Sequence, residues 1–469
     1  MQPELSPLHF VGIGGIGMAA LAELYHAQGH RVSGSDLVAN ATFERLRELG
    51  VAVRIGHDAA SIDGVRTVVR SSAIADDNPE ILAAEQRGIQ IIGRGALLAE
   101  VMRRHDAIAV GGSHGKTTTS AMTAHLLDVA GLDPTAMIGG RVPRPTGGAS
   151  PVKLGHGDLI VAEVDESDGS FLLTRPLIAV ITNVDPEHLD HYGTRAVLLD
   201  AFVNFANSVP ETGACLLGID HPGVAEIASR ISARKITFGF GPSADIQATS
   251  VLVIDGGQRC EFIVRGSERL SFDLPMPGRH NILNALAAIA VGVELGVDGK
   301  ILGDALATFP GVSRRFERKG RVADIQIVDD YAHHPAEIRA TLGGARSIHD
   351  GPITALFQPH RFSRTRDCWD EFTNAFGDAD RVIIADIYPA SEAPIDGVDG
   401  ESLAKAIRAA GHPDTHFGGS LASILEEWPA RLRAGELVMT LGAGDVVSLG
   451  PQLLDALKAR TRANDEGGA

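Results

Sequence analysis

Two glycine-rich segments, each between a predicted strand and a predicted helix, carry the strongest chemical signals in this sequence. The first follows the apolar run Leu8–Val11 and has the spacing G-x-G-x-x-G, formed by Gly12, Gly14, Gly15 and Gly17. Glycines let the backbone approach a diphosphate, and the amides at a helix N-terminus favour negative charge. Asp36 ends the next predicted strand, where a dinucleotide-binding pattern has the acid that contacts the ribose. The segment predicts a nucleotide diphosphate site without choosing between NAD and a UDP-sugar.

The second segment has the form of a loop that binds the phosphates of ATP. Its residues are Gly112, Ser113, His114, Gly115, Lys116, Thr117 and Thr118. Backbone N–H groups of such a loop surround phosphate oxygens, the lysine reaches the β and γ oxygens, and a hydroxyl reaches Mg²⁺. Val110 stands where the longer G-x-x-x-x-G-K-T pattern has its first glycine, so only the short form G-x-x-G-K-T is present. Two different phosphate loops predict two bound nucleotides. One would be consumed in the reaction, and the other would be the part of the substrate by which the enzyme binds it.

Composition limits the kinds of protein this can be. The 469 residues carry a formal net charge of −17, which argues against a nucleic-acid or anionic-membrane partner. The three cysteines, Cys215, Cys260 and Cys368, are too far apart for a zinc cluster or a disulfide framework. No basic flank with an apolar segment opens the chain, and no apolar run reaches the roughly 18 residues of a membrane helix. We therefore expect a cytoplasmic location.

The order of predicted strands and helices indicates an α/β protein of three domains. We expect a Rossmann-like domain over 1–103, a central ATP-binding α/β domain with the phosphate loop over 104–315, and a Rossmann-like domain over 316–469. The near-continuous apolar runs Leu159–Val164 and Ile178–Ile181 are typical of strands buried on both faces. Alternation from Ile246 to Leu274 predicts antiparallel strands, and the Pro- and Gly-rich stretch Arg141–Gly157 predicts a surface loop.

Over nearly its whole length the sequence resembles the Mur ligases of peptidoglycan synthesis, and most closely their alanine-adding branch. The matching blocks, in chain order, are Val11–Met18, Gly34–Asp36, Ser71–Ile74, Gly112–Thr118, Glu163–Phe171, Thr182–Asp190, Pro277–Asn281, Arg314–Glu317, Asp329–Pro335 and Phe357–Arg361. The resemblance implies an ATP- and Mg²⁺-dependent ligase. The lactyl carboxylate of UDP-N-acetylmuramate would attack the γ-phosphate of ATP, and the amine of L-alanine would then attack the acyl phosphate.

The resemblance also implies roles for individual residues. Lys116, His188, Glu163, His334 and Arg361 would be catalytic. Thr117, Glu163 and His188 would bind the metal, while the loop Gly112–Thr118, Asn281 and Arg314 would bind ATP. The UDP-sugar would lie against Gly12, Gly14, Gly15, Gly17, Asp36, Ser71 and Ser72. Some family members use a carbamylated lysine near the metal, but this chain has no lysine between Lys153 and Lys235, so we expect none here.

Three other functions are consistent with parts of the sequence. A sister ligase that joins a preformed tripeptide to the same UDP-sugar would keep both loops and differ in the amino-acid pocket. An NAD-dependent oxidoreductase would use the first glycine loop but leaves Gly112–Thr118 and the carboxylate-rich block Glu163–Phe171 unexplained. A nucleotide-binding regulator without catalysis would have no use for the full set of phosphate and metal positions. Acceptor-dependent ATP turnover separates these possibilities.

Overall fold

The computed structural model describes residues 5–143, 148–264 and 268–467, which form a three-domain α/β protein with three sheets. Contacts divide the chain into two compact units. The first runs through Val251 and adds Cys260–Asp273 and Ile282–Pro310, whereas the second takes Leu252–Arg259, Leu274–Asn281 and the chain from Gly311 onward. The first unit therefore contains the N-terminal sheet and most of the central sheet. The domain limits at 103 and 315 stay predictions.

The N-terminal sheet is parallel and carries the first glycine loop at the end of its central strand. Its strands are β1 Leu8–Val11, β2 Val32–Asp36, β3 Ala52–Ile55, β4 Thr67–Arg70 and β5 Gln90–Gly93. They lie in the order β3-β2-β1-β4-β5. The helices are α1 Ile16–Ala27, α2 Ala41–Glu48, α3 Pro79–Gln86 and α4 Arg94–Met102. All four residues of β1 are buried, as expected for a strand with helices on both faces.

The central sheet has ten strands. They are β6 Asp106–Gly111, β7 Thr135–Pro143, β8 Ala149–Lys153, β9 Leu159–Glu163, β10 Ile178–Ile181, β11 Ala214–Gly218, β12 Lys235–Gly239, β13 Ile246–Ile254, β14 Gly257–Val264 and β15 Glu268–Leu274. Their order is β15-β14-β13-β12-β11-β10-β6-β9-β7-β8. The helices are α5 Lys116–Val129, α6 Leu189–Tyr192, α7 Arg195–Ala206, α8 Pro222–Ala228, α9 Arg279–Glu294 and α10 Gly299–Ala307. Strands β6, β9, β10 and β11 are parallel, so their carboxyl ends meet at one edge.

The prediction of a surface loop over Arg141–Gly157 is wrong for two parts of that segment, because β7 extends to Pro143 and β8 covers Ala149–Lys153. Strands β7 and β8 pair antiparallel there, and β7 also pairs parallel with β9. Within the predicted loop, Val142 pairs with Ser150, and Ser150 and Val152 are 3% and 2% exposed, so strand pairing and burial override the local content of Pro and Gly. Residues 144–147 lie outside the described part of the chain. The alternating segment from Ile246 does form strands, and the two-residue connection between β13 and β14 requires an antiparallel pair.

The C-terminal sheet has six strands, of which β16 is antiparallel to its neighbour. They are β16 Glu317–Val322, β17 Ile325–Asp330, β18 Ile353–Phe357, β19 Arg381–Ala385, β20 Thr415–Gly419 and β21 Leu437–Leu441. Their order is β16-β17-β21-β18-β19-β20. The helices are α11 Pro335–Ile348, α12 Phe362–Asp367, α13 Trp369–Phe372, α14 Gly400–Ala409, α15 Leu421–Glu427 and α16 Leu449–Gly467. Among the described residues, no helix combines the length and apolar character needed to cross a bilayer.

Candidate active site

The first glycine loop is held by the end of strand β2. The N–H groups of Gly12 and Ile13 both donate to the carbonyl oxygen of Ser35, at 2.9 and 3.0 Å. The N–H of Gly14 donates to Oδ2 of Asp36 at 2.8 Å. Gly12 has a φ of 82°, which favours glycine because a side chain is strained in that region. Asp36 therefore fixes the loop itself, and its contact with a ribose stays a prediction.

The buried carboxylate of Glu80 stabilises strand β2, which holds the first glycine loop. Glu80 of α3 is fully buried, and its Oε2 accepts hydrogen bonds from Oγ of Ser35 at 2.5 Å and lies 3.1 Å from Nδ1 of His57. Burial alone would raise the pKa of Glu80, but the imidazole of His9, 3.6 Å away, and the hydrogen bond from Ser35 outweigh it and lower the pKa to about 2. The ionised carboxylate ties β2 to α3 and so stabilises the strand that holds the glycine loop.

A cleft of about 300 Å³ opens beside this loop. On the N-terminal side it is lined by Gly15, Gly17, Ser71 and Ser72, all predicted to contact a UDP-sugar. On the central side it is lined by residues at the end of β9, including Glu163. The structure thus brings together the first glycine loop and a carboxylate of the predicted metal site in one cavity.

The second glycine segment turns sharply between β6 and α5. Gly112 and Gly115 have φ values of 129° and 80°, both in the region that favours glycine. A Cβ on Gly112 would collide with Oγ1 of Thr182, and one on Gly115 would lie 2.5 Å from Oδ1 of Asn284. Thr117 and Thr118 fall in the first turn of α5 and are almost fully buried. This loop at a helix N-terminus is the geometry that phosphate binding requires.

Residues that follow strand β10 form hydrogen bonds with this phosphate loop. Asn183 accepts a hydrogen bond from the N–H of His114 at 2.7 Å and donates from Nδ2 to the carbonyl oxygen of His114 at 2.9 Å. Oγ of Ser113 accepts from the N–H of Asp185 at 2.9 Å. The imidazoles of His114 and His221, 3.4 and 3.3 Å from the Asp185 carboxyl, hold the pKa of that carboxyl well below its usual range. The loop is therefore preorganised by its neighbour strand.

Lys116 lies against the carboxylate of Glu166. Its Nζ is 2.9 Å from Glu166 and also donates to the carbonyl oxygens of Gly112 and Ser113, at 2.6 and 3.1 Å. Burial alone would lower the pKa of Lys116, but the carboxylates of Glu166 and Glu163 outweigh it and raise the pKa. Lys116 is therefore cationic at neutral pH and lies inside the turn of the phosphate loop.

Three ligand atoms near Lys116 are close enough to share a cation. Side chains of Glu166, Glu187 and His188 offer atoms that all lie within 4.8 Å of one another. Nε2 of His188 is 3.7 Å from Oε1 of Glu166. Two carboxylates and an imidazole suit a divalent cation bound partly by phosphate oxygens, so the residues fit Mg²⁺. Glu163 instead accepts a hydrogen bond from the N–H of Gly139 at 2.8 Å, and its role as a metal ligand stays a prediction.

In the second compact unit, histidines and arginines gather after strands β17 and β18. His334 is the N-cap of α11 and lies 3.6 Å from Sγ of Cys368. The ring of His360 stacks on Tyr388, and burial lowers its pKa to about 4, assisted by His333 and Arg364. Arg361 follows directly and has a φ of 72°. The carboxyl ends of parallel strands commonly bind ligands, which fits an anion-binding role for this group.

Two residues predicted to contact ATP, Asn281 and Arg314, have protein partners in this unit. Arg314 donates from Nε to Asp329 at 3.3 Å and from Nη2 to the carbonyl oxygen of Gly442 at 2.5 Å. Asn281 is 3% exposed and donates from Nδ2 to the carbonyl oxygen of Pro277 at 2.7 Å. Asn281 stabilises a local turn, whereas Arg314 links the segment before β16 to the ends of β17 and β21. Their contacts with ATP stay predictions.

Three protein-family models match successive regions of this sequence. The model described as "Mur ligase family, catalytic domain" matches residues 7–106, and "Mur ligase middle domain" matches 110–292. "Mur ligase, glutamate ligase domain" matches 314–444. The chain belongs to the Mur ligase family. The three matched regions also follow the three sheets of the structure.

Curated relatives and solved structures are similar to this Mur ligase over almost its full length. A UDP-N-acetylmuramate–L-alanine ligase of Anaeromyxobacter sp. is 47% identical and the match covers 96% of this chain and 98% of the relative. One from Novosphingobium aromaticivorans is 46% identical, with 98% of each chain covered. The crystal structure of UDP-N-acetylmuramate-alanine ligase from Thermotoga maritima has a TM-score of 0.83 and 29% identity, covering 97% of this chain and 99% of that one. The crystal structure of a murein peptide ligase from Psychrobacter arcticus has a TM-score of 0.71 and 26% identity, covering 96% of this chain and 98% of that one.

Sequence reasoning missed several residues that shape the site of this Mur ligase. Glu166 is the carboxylate that contacts Lys116, and Asn183 holds the phosphate loop. Both lie inside blocks that carry the family resemblance, which is the signal that could have found them. Arg94 lines the cleft beside the first glycine loop and lies outside those blocks. Nothing in its local sequence distinguishes it from an ordinary surface arginine.

Proposed function

We propose that this chain is an ATP-dependent ligase that joins L-alanine to the lactyl carboxylate of UDP-N-acetylmuramate in peptidoglycan precursor synthesis. The structural observation that carries the proposal is the shared cleft. It is lined by Gly15 and Gly17 of the sugar-nucleotide loop and by Glu163, which is close enough to Lys116 to raise the pKa of that lysine. The relatives named as UDP-N-acetylmuramate–L-alanine ligases support this choice of substrates.

The proposed chemistry begins with activation of a carboxylate. A carboxylate is a poor acyl donor at neutral pH, and transfer of the γ-phosphoryl group turns one of its oxygens into a leaving group. Backbone N–H groups of the loop from Gly112 to Thr118 bind phosphate oxygens, and Lys116 stabilises the charge that develops on the transferred group. A divalent cation at Glu166, Glu187 and His188, or at the predicted Thr117 and Glu163, would reduce repulsion between the two anionic reactants.

In the second step the amine attacks the acyl phosphate and phosphate leaves. Arg361 and His334 are proposed to serve this step, because a guanidinium binds a carboxylate or phosphate through paired hydrogen bonds. The acyl phosphate must be kept from water, so both steps have to occur in a closed site. The cytoplasmic location expected from the sequence is the compartment in which ATP and such a substrate would meet.

The relatives favour the alanine-adding reaction over the tripeptide-joining one. Identity to the two alanine ligases named above is 46–47% over nearly full length, and the TM-score is higher for the alanine ligase from Thermotoga maritima than for the murein peptide ligase. Discrimination by a single methyl group is worth only roughly 10- to 200-fold, so some turnover of glycine is expected as well.

Acceptor-dependent phosphate release tests the proposal. Enzyme, Mg²⁺-ATP and UDP-N-acetylmuramate are mixed with L-alanine, with the murein tripeptide, or with neither, and released phosphate is measured. We expect rapid release only when both the UDP-sugar and L-alanine are present. Phosphate release with the tripeptide but not with L-alanine would identify the chain as the sister ligase. Equal phosphate release with and without either acceptor would contradict the proposed function.

A further inference from the structure

The cleft beside the first glycine loop is acidic on one side, although its proposed ligand is an anion. Glu163 and Asp165 both line it, and the whole chain carries a net charge of −17. The diphosphate of a sugar nucleotide carries about two negative charges, so these carboxylates oppose its binding unless a cation lies between them. Of the described residues that line the cleft, Arg94 is the one with a positive charge.

Arg94 is the first residue of helix α4, and its side chain is largely buried, at 18% exposure. Nη2 donates to Oδ2 of Asp165 at 3.1 Å, and Oδ2 of Asp168 is 3.9 Å away. One edge of the guanidinium is therefore fixed by carboxylates of the segment that follows strand β9. An arginine fixed in this way loses little further side-chain entropy when it binds a ligand.

The rest of the Arg94 side chain lies over the first turn of α1. A Cβ built on Gly17 would be 3.1 Å from Nη1 of Arg94 and 3.2 Å from its Cδ. Gly17 is the second residue of α1, so the guanidinium lies directly beside the helix N-terminus, where the amides favour an anion. Absence of a side chain at position 17 is what allows this approach. The helix terminus and the arginine thus converge on one volume of the cleft.

We infer that Arg94 binds the diphosphate of the sugar nucleotide together with the amides of the first glycine loop, and that Asp165 is a positioning residue that holds its guanidinium. The inference rests on the proposed function for the identity of the ligand. A planar guanidinium presents paired donors that match two phosphate oxygens, which a lysine ammonium does not reproduce. Asp165, the partner of Arg94, directly precedes Glu166, the partner of Lys116.

Binding of UDP and of UDP-N-acetylmuramate to Arg94→Ala and Arg94→Lys, measured by isothermal titration calorimetry, tests the inference without needing turnover. We expect the Kd for both ligands to rise about 10- to 100-fold in Arg94→Ala, which is the usual effect of losing hydrogen bonds to a charged group. Arg94→Lys should show a smaller loss, because it keeps the charge but not the paired donors. The Kd for a non-hydrolysable ATP analogue should stay unchanged in both variants.

The matched control is Arg87→Ala, because Arg87 is exposed, belongs to the same domain and pairs with Asp63. It should bind all three ligands like the wild type. Unchanged UDP binding in Arg94→Ala would overturn the inference, and so would weaker binding of UDP-N-acetylmuramate alone, since that places Arg94 at the lactyl carboxylate. Loss of ATP-analogue binding in Arg94→Lys would also overturn it, because the role would then be structural. Failure of the proposed function would be recognised separately, as wild-type enzyme that binds no UDP-N-acetylmuramate.

Discussion

Replacing Lys116 with alanine is expected to abolish ATP-dependent turnover while UDP-sugar binding stays largely intact. Nζ of Lys116 lies inside the turn of the phosphate loop and pairs with Glu166, so its loss removes the cation proposed to stabilise the transferred phosphoryl group. Removal of one positioned electrostatic group typically lowers kcat by about 10²- to 10³-fold, and a reacting γ-phosphate makes the upper end of that range the expectation. Phosphate release and calorimetric titration with the UDP-sugar measure the two properties separately.

Lys300→Ala is the matched control for this variant, because Lys300 is exposed in the first turn of α10 and belongs to the same sheet domain. It should retain wild-type turnover and binding. Simultaneous loss of UDP-sugar binding in a folded Lys116→Ala protein would contradict the assignment of the two loops to two different nucleotides.

Replacing Glu166 with glutamine is expected to lower kcat by at least about 100-fold. Glu166 is 2% exposed and is both the partner of Lys116 and one of the three candidate cation ligands. Breaking a buried ion pair at one end commonly costs about 3–5 kcal/mol, because a charge is left without its partner. Turnover should also need more Mg²⁺ for half-saturation. Steady-state assays over a Mg²⁺ series measure both effects, and circular dichroism reports whether the variant is folded.

Glu226→Gln serves as the control for loss of a carboxylate, because Glu226 is exposed and pairs only at the surface with Arg195. That variant should behave like the wild type, since exposed ion pairs contribute little. A folded Glu166→Gln enzyme with wild-type kcat and Mg²⁺ dependence would show that the contact with Lys116 has no part in catalysis.

The two glycine-rich turns between strand and helix could be predicted because their information is local, whereas phosphate binding by them stays a prediction. Glycine positions, the preceding apolar strand and the following helix all lie within about ten residues, and positive φ values at Gly12, Gly112 and Gly115 explain the choice of residue. Strand Ile178–Ile181 was predicted at both ends for the same reason, because burial on both faces gives an unbroken apolar run.

Contacts that depend on the tertiary structure could not be predicted from the sequence. Four carboxylates, Glu163, Asp165, Glu166 and Asp168, lie within six residues, and the turn after β9 determines which of them contacts Lys116. The contact between Arg94 and Asp165 joins residues 71 positions apart. No local pattern carries such a pairing. The pair of β7 and β8 was missed because burial of Ser150 and Val152 is a tertiary effect that the local content of Pro and Gly does not reveal.

Isotope transfer from the carboxylate tests the central claim, that ATP activates the sugar's carboxylate for joining to alanine. UDP-N-acetylmuramate labelled with ¹⁸O in both lactyl carboxylate oxygens is incubated with enzyme, Mg²⁺-ATP and L-alanine, and both products are analysed by mass spectrometry. Attack by the carboxylate on the γ-phosphate leaves one labelled oxygen in each released phosphate and one in the new amide carbonyl. That distribution is the predicted result. Unlabelled phosphate, or phosphate release without an alanine-containing UDP-sugar product, would contradict the account.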